Sequence, residues 1–403
     1  MKKGWPTKRL GDLFAFKNGR AFKKEEWTTK GLPIIRIQNL NNEDASFNYF
    51  AGEYSQEILV EPGDLLFSWS GTVGSSFGSH LWNGEPGVLN QHIFKIGLRE
   101  TIAKRYAFHG LRYITTEIEQ SVSGAVGLVH ITKEKLNEFT LPVPPLAEQQ
   151  RIVGLLDEAF EGLATAKANA EKNLQNARAL FESHLQSVFT QGSQSAAEGR
   201  GPGWVEKRLG ELCERITKGS SPKWQGISYV DAPGILFVTS ENVGEYDILL
   251  EQPKYVEEKF NAKDKKSILK NGDVLTNIVG ASIGRTAVFD RDDVANINQA
   301  VCLIRCEPHL LNNYYLAYLL NSPVFKQVLH DNEVNNARAN LSLGFFSQLP
   351  VPMPPIPKQK EIVAKLDAFR EETQRLARLY ERKLAALEAL KQSLLHQAFT
   401  GLL

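Results

Sequence analysis

The sequence predicts an α+β (mixed α/β) protein: two similar globular domains joined by two long antiparallel coiled-coil helices, with an internal pseudo-twofold relation between the halves. Three observations carry this. A Pro-rich turn, Leu141-Pro142-Val143-Pro144-Pro145-Leu146-Ala147-Glu148-Gln149-Gln150, returns as Val351-Pro352-Met353-Pro354-Pro355-Ile356-Pro357-Lys358-Gln359-Lys360, and the offset of 210 residues persists to Phe189-Thr190 and Phe399-Thr400. Each turn heads a long run of helical periodicity. Each is preceded by a mixed segment whose short motifs recur in the same order. A period this long is too large for a solenoid; a domain-plus-helix unit has been used twice.

The helices come first because they set the architecture. In the first copy apolar positions recur at Ile152, Leu156, Ala159, Leu163, Ala166 and Ala170, then Asn173, Ala177 and Leu180. In the second they recur at Ile362, Leu366, Phe369, Thr373, Leu376 and Tyr380, then Lys383, Leu387, Leu390 and Leu394. A mean step of 3.5 predicts a coiled-coil seam, with the polar breaks at Asn173 and Lys383 fixing register. Helix over 147–189 spans roughly 64 Å at ~1.5 Å per residue. The polar, Gly- and Ser-rich stretch from Gln191 to Gly203 reads as a flexible connector. Its reach, at most ~45 Å, is shorter than the helix, so the second helix is expected to return antiparallel. The expected division is 1–141 first domain, 142–190 first helix, 191–203 linker, 204–350 second domain and 351–403 second helix.

Composition sets outer bounds. At 403 residues, with 42% hydrophobic and 23% charged residues, the chain suits two or three soluble domains. Met1-Lys2-Lys3-Gly4-Trp5-Pro6 has no apolar run behind it, so a signal peptide is not expected, and no stretch is apolar enough to predict a membrane span. Cys213, Cys302 and Cys306 are too few for a disulfide scaffold or zinc site, so a cytoplasmic protein is expected. The net charge of +1 advertises no global attraction for nucleic acid; any such site must be local.

The two domains share a scaffold. Trp5-Pro6-Thr7-Lys8-Arg9-Leu10-Gly11-Asp12-Leu13 matches Trp204-Val205-Glu206-Lys207-Arg208-Leu209-Gly210-Glu211-Leu212. Gly63-Asp64-Leu65-Leu66 matches Gly272-Asp273-Val274-Leu275, and Asn90-Gln91 matches Asn298-Gln299. Runs at Pro33–Ile37, Asp64–Trp69, His92–Ile96, Ile235–Thr239, Asp273–Val279 and Ala300–Arg305 predict strands. Stretches 101–121 and 310–330 predict a closing helix in each domain. Between these anchors the spacing drifts, as in a fixed framework carrying variable loops.

Local charge is more informative than the total. Residues 1–30 hold nine Lys/Arg against three acids, interleaved with Phe14, Phe16, Phe22 and Trp27. That suits a phosphate backbone; a solvated face is the competing reading. Candidate DNA-contacting residues in the first domain are Lys17, Arg20, Lys23, Lys24, Arg36, Gln38, Trp69, Ser70, Thr72, His80, Gln91 and His92. In the second they are Lys218, Ser221, Lys223, Trp224, Thr239, Glu241, Asn277, Ser282, Arg285 and Gln299. Asn and Gln can pair with adenine, Arg with guanine, and Glu can accept from cytosine. Residues shared by both halves, such as Asn39 and Asn242, are better candidates for scaffold than for readout, since two readers of different bases should differ where they read.

Catalytic motifs do not materialise. Asn321-Ser322-Pro323-Val324-Phe325 only superficially resembles a methyltransferase motif. Gly71-Thr72-Val73-Gly74 and Gly280-Ala281-Ser282-Ile283-Gly284 lack the lysine of a phosphate loop. No histidine cluster has metal-ligand spacing.

The doubled domains, their Trp-x-x-x-Arg/Lys-Leu-Gly-Asp/Glu-Leu openings, Gly-Asp-(Leu/Val)-Leu, Asn-Gln and Pro-Pro-Leu-Ala-Glu-Gln-Gln heading a long helix resemble the specificity subunit of type I restriction-modification systems, across essentially the whole chain. The resemblance implies two target recognition domains, each binding half of a bipartite, asymmetric site in double-stranded DNA. It implies helices that set the gap and dock two modification (methyltransferase) subunits, with Pro145, Gln149, Pro355 and Gln359 as expected docking residues. Restriction subunits would join them. It implies no cofactor in this chain: S-adenosylmethionine, and ATP with Mg, belong to the partners. Lys358-Gln359-Lys360 departs from Glu148-Gln149-Gln150, so the second docking surface need not match the first. Two alternatives stay open at this point, a type IIB-like restriction system and a coiled-coil adaptor that binds no DNA.

Overall fold

The computed structural model describes residues 4–42, 44–71, 76–99, 102–122, 129–198, 203–331 and 341–403. It divides into two compact units that interleave in sequence: 1–171 with 381–403, and 172–380. Each unit therefore holds one globular domain and a segment of both long helices.

In the first unit, Phe14–Asn18, Ile93–Leu98, Leu65–Ser68 and Gly78–Leu81 form an antiparallel sheet in that order. Phe14 and Phe16 are buried while Ala15 and Lys17 are exposed, the period of two expected of a strand with one wet face. Leu65-Leu66-Phe67-Ser68 is buried throughout, as befits a strand covered on both sides. Leu65 and Phe67 face a core closed by the helix Lys104–Val122; Leu66 faces a second core with Ile34, Val60 and Val88. That second core belongs to a sheet ordered Asn48–Phe50, Leu32–Ile35, Gly87–Leu89, Leu59–Val60, in which the middle two strands are parallel. Burying Phe67 completely contributes about 1.5–3 kcal/mol.

Thr7–Arg9 pairs with Thr140–Pro142, tying the domain's start to its end, and the first long helix, Leu146–Glu198, follows. The end of the second long helix packs here too. Phe399 stacks on Tyr113 at 5.2 Å and lies 5.0 Å from Tyr106, whose hydroxyl donates to the Pro142 carbonyl at 2.9 Å. Arg151 donates to the Leu403 carbonyl at 2.9 Å, while Leu163 and Leu387 line one cavity. Position rises on one helix as it falls on the other, so they run antiparallel.

The second unit repeats this plan. Cys213–Lys218, Val301–Cys306, Asp273–Asn277 and Thr286–Phe289 form the first sheet. The second runs Tyr229–Val230, Tyr255–Val256, Ile235–Val238, Ala295–Ile297, its last pair parallel. Val205–Arg208 pairs with Pro350–Met353 ahead of the helix Ile356–Thr400. Phe189 lies 5.5 Å from Tyr315, whose hydroxyl donates to Pro352 at 2.7 Å, the counterpart of Phe399, Tyr106 and Pro142. His184 meets Phe369 at 4.8 Å, while Ala177 and Ala377 line one cavity; this pair is antiparallel as well. Gly19 and Gly219 also correspond, since a Cβ on either would overlap a backbone carbonyl oxygen, of Asn90 or of Ile297.

Four expectations need correction. The seam passes through Leu174 and Leu384, half-buried, whereas Asn173 and Lys383 are exposed. Further on it holds Phe181 and Lys391; Leu180 is 50% and Leu390 46% exposed. Equivalent inward positions recur every eleven residues, at Ile152, Leu163, Leu174 and Leu185, and at Ile362, Thr373, Leu384 and Leu395. An eleven-residue repeat has a step of about 3.67, close to the helix's own 3.6, whereas a heptad pattern drifts ~20° per repeat and so slips onto the neighbouring residue over three repeats. Second, helix runs through 191–198 instead of a connector; Ala196, Ala197 and Glu198 are good helix formers, and extending an existing helix costs little. Residues 199–202 of the expected linker lie outside the described residues. Third, Pro142 and Pro350–Met353 belong to strands, which Pro tolerates in a two-stranded edge ribbon. Fourth, the second domain's closing helix is two, Asn313–Asn321 and Pro323–Asp331, broken where Pro323 lacks an N–H.

Candidate nucleic-acid interface

In the first domain, two separate segments, 91–94 and Val129–His130, converge on Trp69. Its ring lies 5.3 Å from His92, 6.0 Å from Phe94 and 6.0 Å from His130, and its Nε1 donates to the Gln91 carbonyl at 3.1 Å. Gln91 Nε2 is 3.1 Å from His92 Nε2, and Ser70 Oγ is 3.4 Å from His130 Nε2. The pairing of Val129–His130 with Ser70–Gly71 brings His130 in. Sequence reasoning missed it because nothing in Leu128-Val129-His130 announces a partner 60 positions away. Gln91 is exposed and His92 half-buried, whereas Ser70 is buried. Thr72, like Lys2 and Lys3, lies outside the described residues.

The basic segment divides in two. Arg20 pairs with Glu26 and sits over Phe22 and Phe50, at 5.1 and 5.0 Å. Backbone and guanidinium donors from Lys23 and Arg20 hold the Glu26 carboxyl below its usual range. Lys17 pairs with Glu57 at 3.0 Å, and Arg36 packs over Trp27 at 5.4 Å. Lys23 and Lys24 are exposed and in no ion pair among the described residues. Gln38 is exposed on the turn Ile37–Asn41.

His80 faces elsewhere, a cavity of about 770 Å³ that it lines with Phe47, Trp82, Phe108 and Arg112. Burial, assisted by the Arg112 charge, lowers its pKa to about 4, so the ring is neutral at pH 7.

In the second domain Lys218, Lys223, Trp224, Arg285 and Gln299 are exposed, Ser221 and Ser282 half-buried. Glu241, also exposed, pairs with Lys254 at 2.5 Å, which lowers its carboxyl pKa. Thr239 and Asn277 are corrected. Asn277 is completely buried and donates to the carbonyls of Ser240 and Val243 and to Ser282 Oγ. Thr239 gives its N–H and its hydroxyl to Asn242 Oδ1. These two side chains hold loops, and Ser70 too is buried, so none of the three is exposed as expected.

The shared asparagines do the same work in both domains. Asn39 Oδ1 accepts from Arg36 N–H at 3.1 Å, and its Nδ2 donates to the Ser46 carbonyl at 3.3 Å. Asn242 Oδ1 accepts from Thr239 N–H at 2.9 Å, and its Nδ2 donates to the Leu249 carbonyl at 2.9 Å. Each pins a loop whose preceding side chain, Gln38 or Glu241, faces solvent.

Two docking expectations are also overturned. Gln149 and Gln359 are completely buried. Gln149 accepts from Ala103 N–H and donates to Pro144 O, both at 2.8 Å; Gln359 accepts from Asn312 N–H at 2.8 Å and donates to Pro354 O at 2.9 Å. They lock each helix start to its own domain. Pro145 and Pro355 remain exposed there.

Among the described residues no group of three or more His, Cys, Asp or Glu could hold a metal, and no helix is long and apolar enough to cross a membrane.

A family model described as type I restriction modification DNA specificity domain matches twice, at residues 2–174 and 202–382. The EcoBI specificity subunit of Escherichia coli, of a type I restriction enzyme, is 28% identical over 98% of this chain and 86% of the relative. The MjaVIII specificity subunit of Methanocaldococcus jannaschii is 22% identical over 98% of this chain and 92% of its own. Among solved structures, one concerned with assembly and conformational transition of the type I R-M system has the same fold at TM-score 0.79 and 20% identity, covering 100% of this chain and 99% of that one. The HsdS subunit from Thermoanaerobacter tengcongensis follows at TM-score 0.60 and 21% identity, covering 100% and 98%.

Proposed function

The chain belongs to the type I restriction modification DNA specificity family, and on that premise we propose that it is the DNA-reading subunit of a type I restriction-modification complex. Each domain reads one half of a bipartite, asymmetric site in double-stranded DNA, and the long helices set the gap between the halves. The chain carries out no chemistry. Two methyltransferase subunits dock on it, supplying the S-adenosylmethionine chemistry, and restriction subunits using ATP with Mg complete the assembly.

The observation that carries this reading is the pair of pinned loops. An identical buried asparagine holds each loop, while the exposed neighbour is Gln38 in one domain and Glu241 in the other. Gln can pair with adenine and Glu can accept from cytosine. Conserved support under a changed reading group is what two domains reading different half-sites need. Exposed Lys23, Lys24, Lys218 and Lys223 supply the phosphate contacts that position without specifying.

A gel shift tests it. The chain assembled with its methyltransferase subunits should retard duplex DNA carrying the site, with an affinity that falls steeply as salt rises. An assembled complex that leaves all duplexes unshifted contradicts the proposal.

A further inference from the structure

Trp224 is 83% exposed, more than any other large hydrophobic side chain among the described residues. It does not sit on a loose tip. The turn Lys223–Gln225 is closed by the N–H groups of Gln225 and Ile227, both donating to the Pro222 carbonyl at 3.0 Å. Gly226 completes it with φ of 66°, a left-handed conformation that suits glycine. Lys263 Nζ donates to the Gln225 carbonyl at 2.6 Å, and Gln225 Nε2 donates to Ser220 Oγ at 2.9 Å, which in turn donates to Asp264. Ile227, 5% exposed, anchors the far side in a core with Phe237 and Phe260. A clamped turn thus holds a large aromatic ring out in water. In the first domain the corresponding turn, Lys24–Glu26, leads instead into a Trp27 half-buried beneath Arg36.

The surroundings favour one kind of partner. Lys218 and Lys223 are exposed and form no ion pair among the described residues. An exposed aromatic ring beside an uncommitted cation on the same turn, Lys223, matches a polyanion with stackable rings.

We propose that Trp224 is a wedge: its indole stacks on a base in or beside the second half-site and opens that base step, while Lys218 and Lys223 hold the flanking phosphates. This rests on the DNA-reading function above and assigns it an asymmetry, since among the described residues only the second domain presents a ring this exposed. Apolar side chains inserted between base steps unstack and kink the duplex, giving sequence preference through deformability.

The test uses the chain assembled with its methyltransferase subunits and a duplex carrying its methylated site, with 2-aminopurine placed in turn at positions of the second half-site other than the target adenine. Wild type should raise fluorescence at one step. Trp224→Ala should abolish that rise and weaken binding on the order of 10- to 100-fold, leaving the salt slope unchanged, while Trp224→Phe retains most of both. Lys223→Ala should lower the salt slope by about one. Wild-type affinity and fluorescence in Trp224→Ala would overturn the wedge. So would loss of the methyltransferase subunits from that variant, which would mark Trp224 as a protein contact. If the wild-type complex binds no duplex, the DNA-reading function itself fails, and the wedge with it.

Discussion

Gln149 and Gln359, 210 positions apart, make the same pair of hydrogen bonds in different units: each accepts a backbone N–H from its domain's closing region and donates to a carbonyl of its own Pro-rich turn. Replacing either by Leu leaves a half-buried residue's N–H, that of Ala103 or Asn312, without its acceptor. The expected cost is about 1–3 kcal/mol each, read as a lower denaturation midpoint. An unchanged midpoint would show that these bonds do not hold helix to domain.

Acid should weaken the first unit through His80. Its pKa in the folded chain, about 4, lies below the ordinary 6.5, so the folded state binds fewer protons than the unfolded one. Above pH 6.5 both states are neutral and the difference vanishes. As pH falls from 6.5 toward 4 the unfolded state gains a proton first, and stability drops by an amount on the order of 3 kcal/mol. His109, also lowered by burial against the opposing pull of Asp157, acts in the same direction. Denaturation midpoints between pH 7 and 4 should slope less steeply for His80→Asn than for wild type.

Exposed reading candidates should separate specificity from stability. Arg285→Ala, on a surface turn, should change stability by no more than about 0.5 kcal/mol and relax selectivity at one position by about 1–3 kcal/mol. Asn242→Ala should do the reverse, lowering the melting temperature because two donors and a carbonyl lose their partner. Competition binding against single-base variants, alongside melting curves, distinguishes the two behaviours.

Much of this architecture was legible because it was written twice. The strands around Phe67 and Leu275 and both helix starts follow from apolar runs and Pro-rich turns that repeat. The seam register was not, because a heptad and an eleven-residue reading stay close from Ile152 and Ile362 onward and part only near Asn173 and Lys383. The site was half legible. Exposed Lys23, Lys223, Trp224 and Gln299 suit contact, but a polar side chain such as Asn277 looks the same in sequence whether it faces a base or a buried carbonyl. His130 joins Trp69 only through a strand pairing far along the chain.

The eleven-residue repeat makes the spacing role testable. Inserting eleven residues at matched positions in both helices keeps the seam in phase and lengthens them by ~16 Å. Methylation at the original half-site gap should be lost. If the gap is unchanged, the helices do not set it.

The most direct measurement is a genome-wide map of methylated adenines in cells expressing this chain with its methyltransferase subunits. Two dissimilar half-sites separated by a fixed gap of unspecified bases are expected, and exchanging residues 204–350 for the same domain of a relative should change one half only. A continuous motif, or an exchange that alters both halves, would contradict the account.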